Sequence, residues 1–152
     1  MMLCIDGWLR LMIDVYTDGS YKKNKDGIYK VGWGYIILDG DTIIHEDYGI
    51  TNEYTSMRNV VGECVAVVEA IVYCEEQGYD AVTIYHDYEG VGAWVRGQWK
   101  AKNEMTQRYK KFVLESPMII EFIHVEGHSG NKWNEYVDTL AKRAIDGVDM
   151  NE

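Results

Sequence analysis

Ile13-Asp14-Val15-Tyr16-Thr17-Asp18-Gly19-Ser20 is the stretch on which the fold turns. Its β-branched and aromatic residues run into an Asp-Gly-Ser turn signal, which predicts a strand ending at Asp18. Beyond a polar loop, Lys22 to Gly27, Val31 to Leu38 reads as a second strand. Asp39-Gly40 fits a hairpin turn, and Thr42 to Ile50 returns as a third strand. From Val60 the period changes, with apolar residues at 60, 64, 67, 68, 71 and 72 forming a helical stripe that ends near Gln77-Gly78. Ala81 to Tyr85 is a short buried-type strand, and residues 88 to 115 read as two amphipathic helices parted near Gly97 to Asn103. Met118 to Val125 makes a further strand, and a last helix spans about Lys132 to Ile145. Hairpins first and helices afterwards predict an α/β layered sheet with mixed strand directions.

The 152 residues suit one domain, expected over 13–146, with 1–12 as an extension of unknown role and 147–152 as a tail. No window approaches the eighteen or so consecutive apolar residues of a membrane span, so no membrane partner is expected. Cys4, Cys64 and Cys74 are odd in number and lack a Cys-x-x-Cys spacing, which supports neither a disulfide framework nor a thiolate zinc site. The expected setting is a reducing cytoplasm, with the chain acting as a monomer. A net charge of −10 argues on its own against a polyanionic partner. The distribution argues otherwise: between Arg96 and Lys111 stand six basic residues against Glu104 alone. Screening over about 8 Å lets such a cluster act independently of distant acids.

Cofactor and acyl-transfer motifs are missing. There is no Gly-x-x-x-x-Gly-Lys loop, no complete dinucleotide fingerprint, no Gly-x-Ser-x-Gly elbow and no His-Glu-x-x-His helix. What remains is carboxylates at element ends: Asp18 closing the first strand, Glu63 in the first turn of the long helix, Asp87 past the fourth strand, and Asp138 in the last helix. Brought together they would repel strongly, and divalent ions with a taste for carboxylate oxygen are the usual remedy. Two such ions, roughly 3.5–4 Å apart, serve phosphodiester cleavage. Each acid also has an ordinary explanation, as turn former, helix-dipole partner or solvated side chain.

The motifs taken together are more specific. Tyr16-Thr17-Asp18-Gly19-Ser20, Arg58-Asn59-Val60-Val61-Gly62-Glu63, Tyr85-His86-Asp87-Tyr88, and Gly127-His128-Ser129-Gly130 followed by Asn134-Glu135 and Asp138 resemble, in order and spacing, the signatures of type 1 ribonuclease H. The segment Trp94-Val95-x-Gly97-x-Trp99-Lys100-Ala101-Lys102-Asn103 is similar to the bacterial branch related to viroplasmin-linked ribonucleases H. The resemblance implies a ribonuclease H-like five-stranded mixed sheet flanked by helices, and hydrolysis of the RNA strand of RNA–DNA hybrids with two Mg²⁺ ions, or Mn²⁺ in their place. It implies Asp18, Glu63, Asp87 and Asp138 as metal ligands and His128 as a loop histidine aiding proton movement or product departure. Asn59 matches a position touching the RNA 2′-hydroxyl.

The implied substrate-binding set also holds Gly19, Ser20, Arg58, Trp99, Lys100, Lys102 and Asn103. Arg58 stands where the family often carries Thr, so a phosphate pocket there is built differently or supplied by a guanidinium. Trp94, Trp99 and nearby lysines form a stacking and phosphate-contact strip, or else both tryptophans belong to the core. His45 and His124 read as ordinary sheet residues, and His86 adjoins Asp87 without any motif to give it a role. Two alternatives stay open: a catalytically silent nucleic-acid-binding module, favoured by the net charge, and a related ribonuclease H-like nuclease. An exonuclease reading requires an Asp-x-Glu pair on the first strand, which neither Asp14-Val15-Tyr16 nor Asp18-Gly19-Ser20 supplies.

Overall fold

A computed structural model describes residues 2–5, 8–127 and 129–147, with side chains from residue 12 onward. The strands are β1 (Met2–Ile5), β2 (Trp8–Lys23), β3 (Tyr29–Asp39), β4 (Thr42–Thr51), β5 (Ala81–His86) and β6 (Ile119–His124). The helices are α1 (Asn59–Glu76), α2 (Gly90–Arg96), α3 (Glu104–Glu115) and α4 (Lys132–Asp146). Five strands lie in the order β4-β3-β2-β5-β6, and β1 pairs off this path with the start of β2. The pairs β2/β3 and β3/β4 are antiparallel, and β2/β5 and β5/β6 are parallel, as the alternation of hairpins and helical crossovers requires. No helix among the described residues is long and apolar enough to cross a membrane.

The larger core packs α1, α2 and α3 on one face of the sheet, around Val15, Val31, Ile37, Val67, Ile71 and Ile84. The smaller one seats Val137 and Leu140 of α4 on Tyr16, Ile36 and Leu38. Alternation along β3 feeds both: Val31, Trp33, Tyr35 and Ile37 face the first cluster, Ile36 and Leu38 the second.

One expected boundary is wrong. The first strand does not end at Asp18; β2 stays paired with β3 through Asp18↔Gly34, Gly19↔Trp33 and Ser20↔Gly32 to Lys23↔Tyr29. Gly19 serves close approach here. A Cβ on it would overlap the Asn59 carbonyl oxygen and the Glu63 amide of α1, so the helix backbone lies directly on the strand. The turn comes later, where the Asn24 side chain accepts the Asp26 and Ile28 N–H groups, both at 2.9 Å. The antiparallel pairing of β1 with the start of β2 also extends the sheet into the segment read as an extension.

Candidate active site

Register explains why the acids converge. The parallel β2/β5 pairing ends at Tyr16↔Tyr85. Asp18 lies two residues beyond this pair on β2, and Asp87 immediately follows β5. β5 ends here while β2 runs on with β3, and the parting of two parallel strands leaves a crevice, the usual place for a ligand in such a sheet. α1 delivers Glu63 to the same point, and α4 brings Asp138 from the other face.

Asp18, Glu63 and Asp87 offer carboxylate oxygens that all lie within 4.8 Å of one another. Asp18 and Glu63 are buried, and Asp87 is half-buried. The Asp87 amide donates to Glu63 Oε1 at 3.2 Å, and Asp18 Oδ1 accepts the Gly19 N–H at 2.9 Å. Burial, then the Asp87 charge, then a hydrogen bond and charge from Asp138 push the Asp18 carboxyl well above the ordinary carboxylate range. Burial, then Asp18 and Asp87, do the same to Glu63. None of the described ion pairs involves these three residues. The donor set fits a hard divalent cation: it is all oxygen and crowded with like charge.

Asp138 is not one of the three mutually close acids, yet its side chain touches Asp18 and it lines the same cleft of about 260 Å³, with Gly19, Ser20, Tyr21 and Asn59. Lys142, one turn along α4, pairs with it at 2.8 Å. No motif points to that lysine, although the i, i+4 spacing on a helix announces the pair. Asn134, which the motifs contain without a role, lines the cleft, is buried, and has an Oδ1 with no described hydrogen-bond partner.

The remaining candidates fall into separate groups. Arg58 caps α1 with φ 57° and ψ −134°, a conformation costly for a residue with a Cβ. Its guanidinium lies 5.8 Å from the Tyr21 ring centroid and 6.0 Å from that of Tyr29, so aromatic faces hold it beside the cleft. Trp99, Lys100, Lys102 and Asn103 line a different, shallow hollow with Trp94 and Thr106, away from the acids. Trp94 belongs to the core, edge-on to Trp99 and Tyr109, whereas Trp99 is 38% exposed. The Asn103 side chain is occupied: it accepts the Thr106 N–H at 2.9 Å in a capping box that starts α3. His128 lies outside the described residues.

The histidines beside Asp87 differ from their sequence reading. His86 is fully buried, and burial pulls it down to about 4, a bond to the Tyr88 carbonyl opposing the shift and the His124 and Arg96 charges adding to it. His124, read as a plain sheet residue, reaches across to the Asp87 backbone carbonyl at 2.8 Å. No local pattern could have shown this, because the contact follows from the β5/β6 register, His86↔His124.

Comparison with known proteins places the chain in a family. A ribonuclease H of Verminephrobacter eiseniae is 32% identical over 153 residues, covering 88% of this chain and 90% of its own. RNase H1 from the halophilic archaeon Halobacterium salinarum superposes with a TM-score of 0.76 at 22% identity, over 91% of this chain and 100% of its own. LC11-RNase H1, crystallised in complex with RNA/DNA hybrid, gives 0.67 at 22% identity, over 88% and 99%. The family model for RNase H matches residues 11–146, nearly the whole described fold, and the chain belongs to the RNase H family.

Proposed function

We propose that this protein is an endonuclease that hydrolyses the RNA strand of RNA–DNA hybrids, with Asp18, Glu63, Asp87 and Asp138 holding two Mg²⁺ ions. The observation carrying this reading is the triad of carboxylate oxygens within 4.8 Å just past the point where β2 and β5 cease to pair, in a chain of the RNase H family. LC11-RNase H1, which shares the fold, forms a complex with RNA/DNA hybrid. All four expected acids are present, which disfavours a silent binding module.

When bound, such ions stabilise charge on the attacking and leaving oxygens of the phosphodiester. The chain's own residues do the rest. Glu63 and Asp18, anchored in α1 and β2, give the cluster a rigid floor. Half-buried Asp87 and Asp138 stand at its open side, where the scissile phosphate would arrive. Asn59 opens α1 and lines the cleft, and in this reading it contacts the 2′-hydroxyl that distinguishes RNA from DNA. Gly19 and Ser20 shape the wall beside it, and Arg58, backed by Tyr21 and Tyr29, presents a fixed charge for a phosphate. Trp99, Lys100 and Lys102 contact the second strand further along the duplex, and His128 assists departure of the product. A reducing cytoplasm suits the free, buried thiols Cys64 and Cys74.

Matched hybrid, double-stranded RNA and double-stranded DNA, each incubated with and without Mg²⁺, test the reading. Only the RNA strand of the hybrid is cut, and only with the ion. Asp87→Asn keeps size and removes charge, so cleavage falls by orders of magnitude with folding intact. A variant retaining more than about a tenth of wild-type rate exceeds what loss of a metal ligand allows and refutes the assignment.

A further inference from the structure

Of the three crowded acids, Asp87 alone belongs to neither a strand nor a helix, sitting between β5 and α2. A carboxylate there needs an anchor, since a displacement of about 1 Å can cost a hundredfold in rate. The backbone around it is pinned from three directions. The Asp87 N–H donates to Glu63 Oε1 at 3.2 Å. The Asp87 carbonyl accepts from His124 Nε2 at 2.8 Å, and the next carbonyl, Tyr88, accepts from His86 Nδ1 at 2.8 Å. A carbonyl only accepts, so each ring nitrogen carries the proton.

The two rings come from equivalent positions of neighbouring parallel strands, His86↔His124, with centroids 5.8 Å apart. They grip consecutive peptide groups. His86 does so at a cost: it is fully buried, and its Nε2 has no described partner. Its fixed contribution is the bond to Tyr88, which also receives the Val91 N–H at 3.2 Å and so joins the turn to the start of α2. His124 is exposed, and its bond to Asp87 does little for the core.

We propose that His124 is a positioning residue for Asp87, holding the Asp87 peptide so that its carboxylate faces Asp18 and Glu63, with His86 fixing the adjoining Tyr88 peptide from beneath. The inference rests on the proposed role of Asp87 as a metal ligand. Outer partners that orient a ligand typically change metal affinity or activity by roughly tenfold to a hundredfold when removed.

His124→Phe removes the donor and keeps a ring, and His124→Gln returns an N–H at nearly the same reach. Mg²⁺ binding to the full, substrate-free chain is followed by calorimetry, alongside kcat and KM on hybrid and the thermal midpoint, with Asp87→Asn as control. His124→Phe is expected to weaken Mg²⁺ binding and lower kcat, each roughly tenfold or more, with KM and melting temperature unchanged. His124→Gln is expected to restore both. If Asp87→Asn abolishes metal binding and cleavage while His124→Phe leaves them intact, or if Gln is as impaired as Phe, the positioning role is overturned and the site stands. If Asp87→Asn itself binds Mg²⁺ and cleaves like wild type, the reading of the site fails and this inference falls with it.

Discussion

Asp18→Asn should make the metal-free protein more stable near pH 8 while abolishing its activity. Two like charges 4.8 Å apart repel by about 3.5 kcal/mol at an effective dielectric constant of about 20. Asp18 has two such neighbours at that distance or closer, Glu63 and Asp87. Ionising Asp18 beside both charged neighbours would therefore cost about 7 kcal/mol, comparable with the roughly 5–15 kcal/mol that holds a domain together. Solvent at the open side of the cleft and retained protons relieve part of this, leaving roughly 2–4 kcal/mol to be recovered by the neutral amide. Asn also keeps an oxygen to accept the Gly19 N–H.

The pH dependence follows from the raised carboxyl. Folding makes Asp18 hold its proton more tightly, so its contribution to stability is fully present below its ordinary value of 3.8 and is lost as pH climbs through the raised native value. The advantage of the variant is accordingly small near pH 4 and grows towards pH 8. Urea unfolding in chelator, followed by circular dichroism across that range, measures it. At about 2–4 °C per kcal/mol for a chain of this size, the melting temperature rises by roughly 4–16 °C near pH 8. Excess Mg²⁺ raises the stability of wild type, by about 2.7 kcal/mol at a hundredfold excess over Kd, and that of the variant by less. Equal stability in chelator near pH 8, or a difference that does not change with pH, refutes the reasoning.

Two further outcomes concern the strip around α3. Lys100→Ala and Lys102→Ala should weaken hybrid binding about equally for every sequence, and each should make the log K against log salt slope shallower by roughly 0.9; an unchanged slope leaves them as solvated side chains. Asn103→Ala should cost about 1 kcal/mol in urea unfolding through loss of the cap, and Asn103→Ser should restore both stability and hybrid affinity. A stable Ser variant that still binds hybrid weakly would assign Asn103 a direct contact.

The sheet was legible because its signals are local: the Asp39-Gly40 turn, the apolar stripe of α1 and the alternation along β3 each act over a few residues. Asp18, Glu63, Asp87 and Asp138 were legible through motif order, and the structure gathers Asp18, Glu63 and Asp87 within 4.8 Å. What escaped depends on contacts between distant segments. Asp-Gly-Ser carries a true turn propensity, overridden here because β3 continues the ladder and α1 needs the bare face of Gly19. His124 gained its partner from strand register, and Asn103 was read for the basic strip around it although its own spacing to Thr106 spells a helix cap.

The contact between β2 and α1 has a consequence for how the sequence can drift. Asp18 and Glu63 each adjoin a glycine, and a Cβ on Gly62 would lie 3.1 Å from the Gly19 Cα and 2.5 Å from the Gly32 carbonyl oxygen. Main chain thus meets main chain beside both acids, with no side chain acting as a spacer. The same feature makes the glycines intolerant: a single methyl at position 19 or 62 would lever the two acids apart.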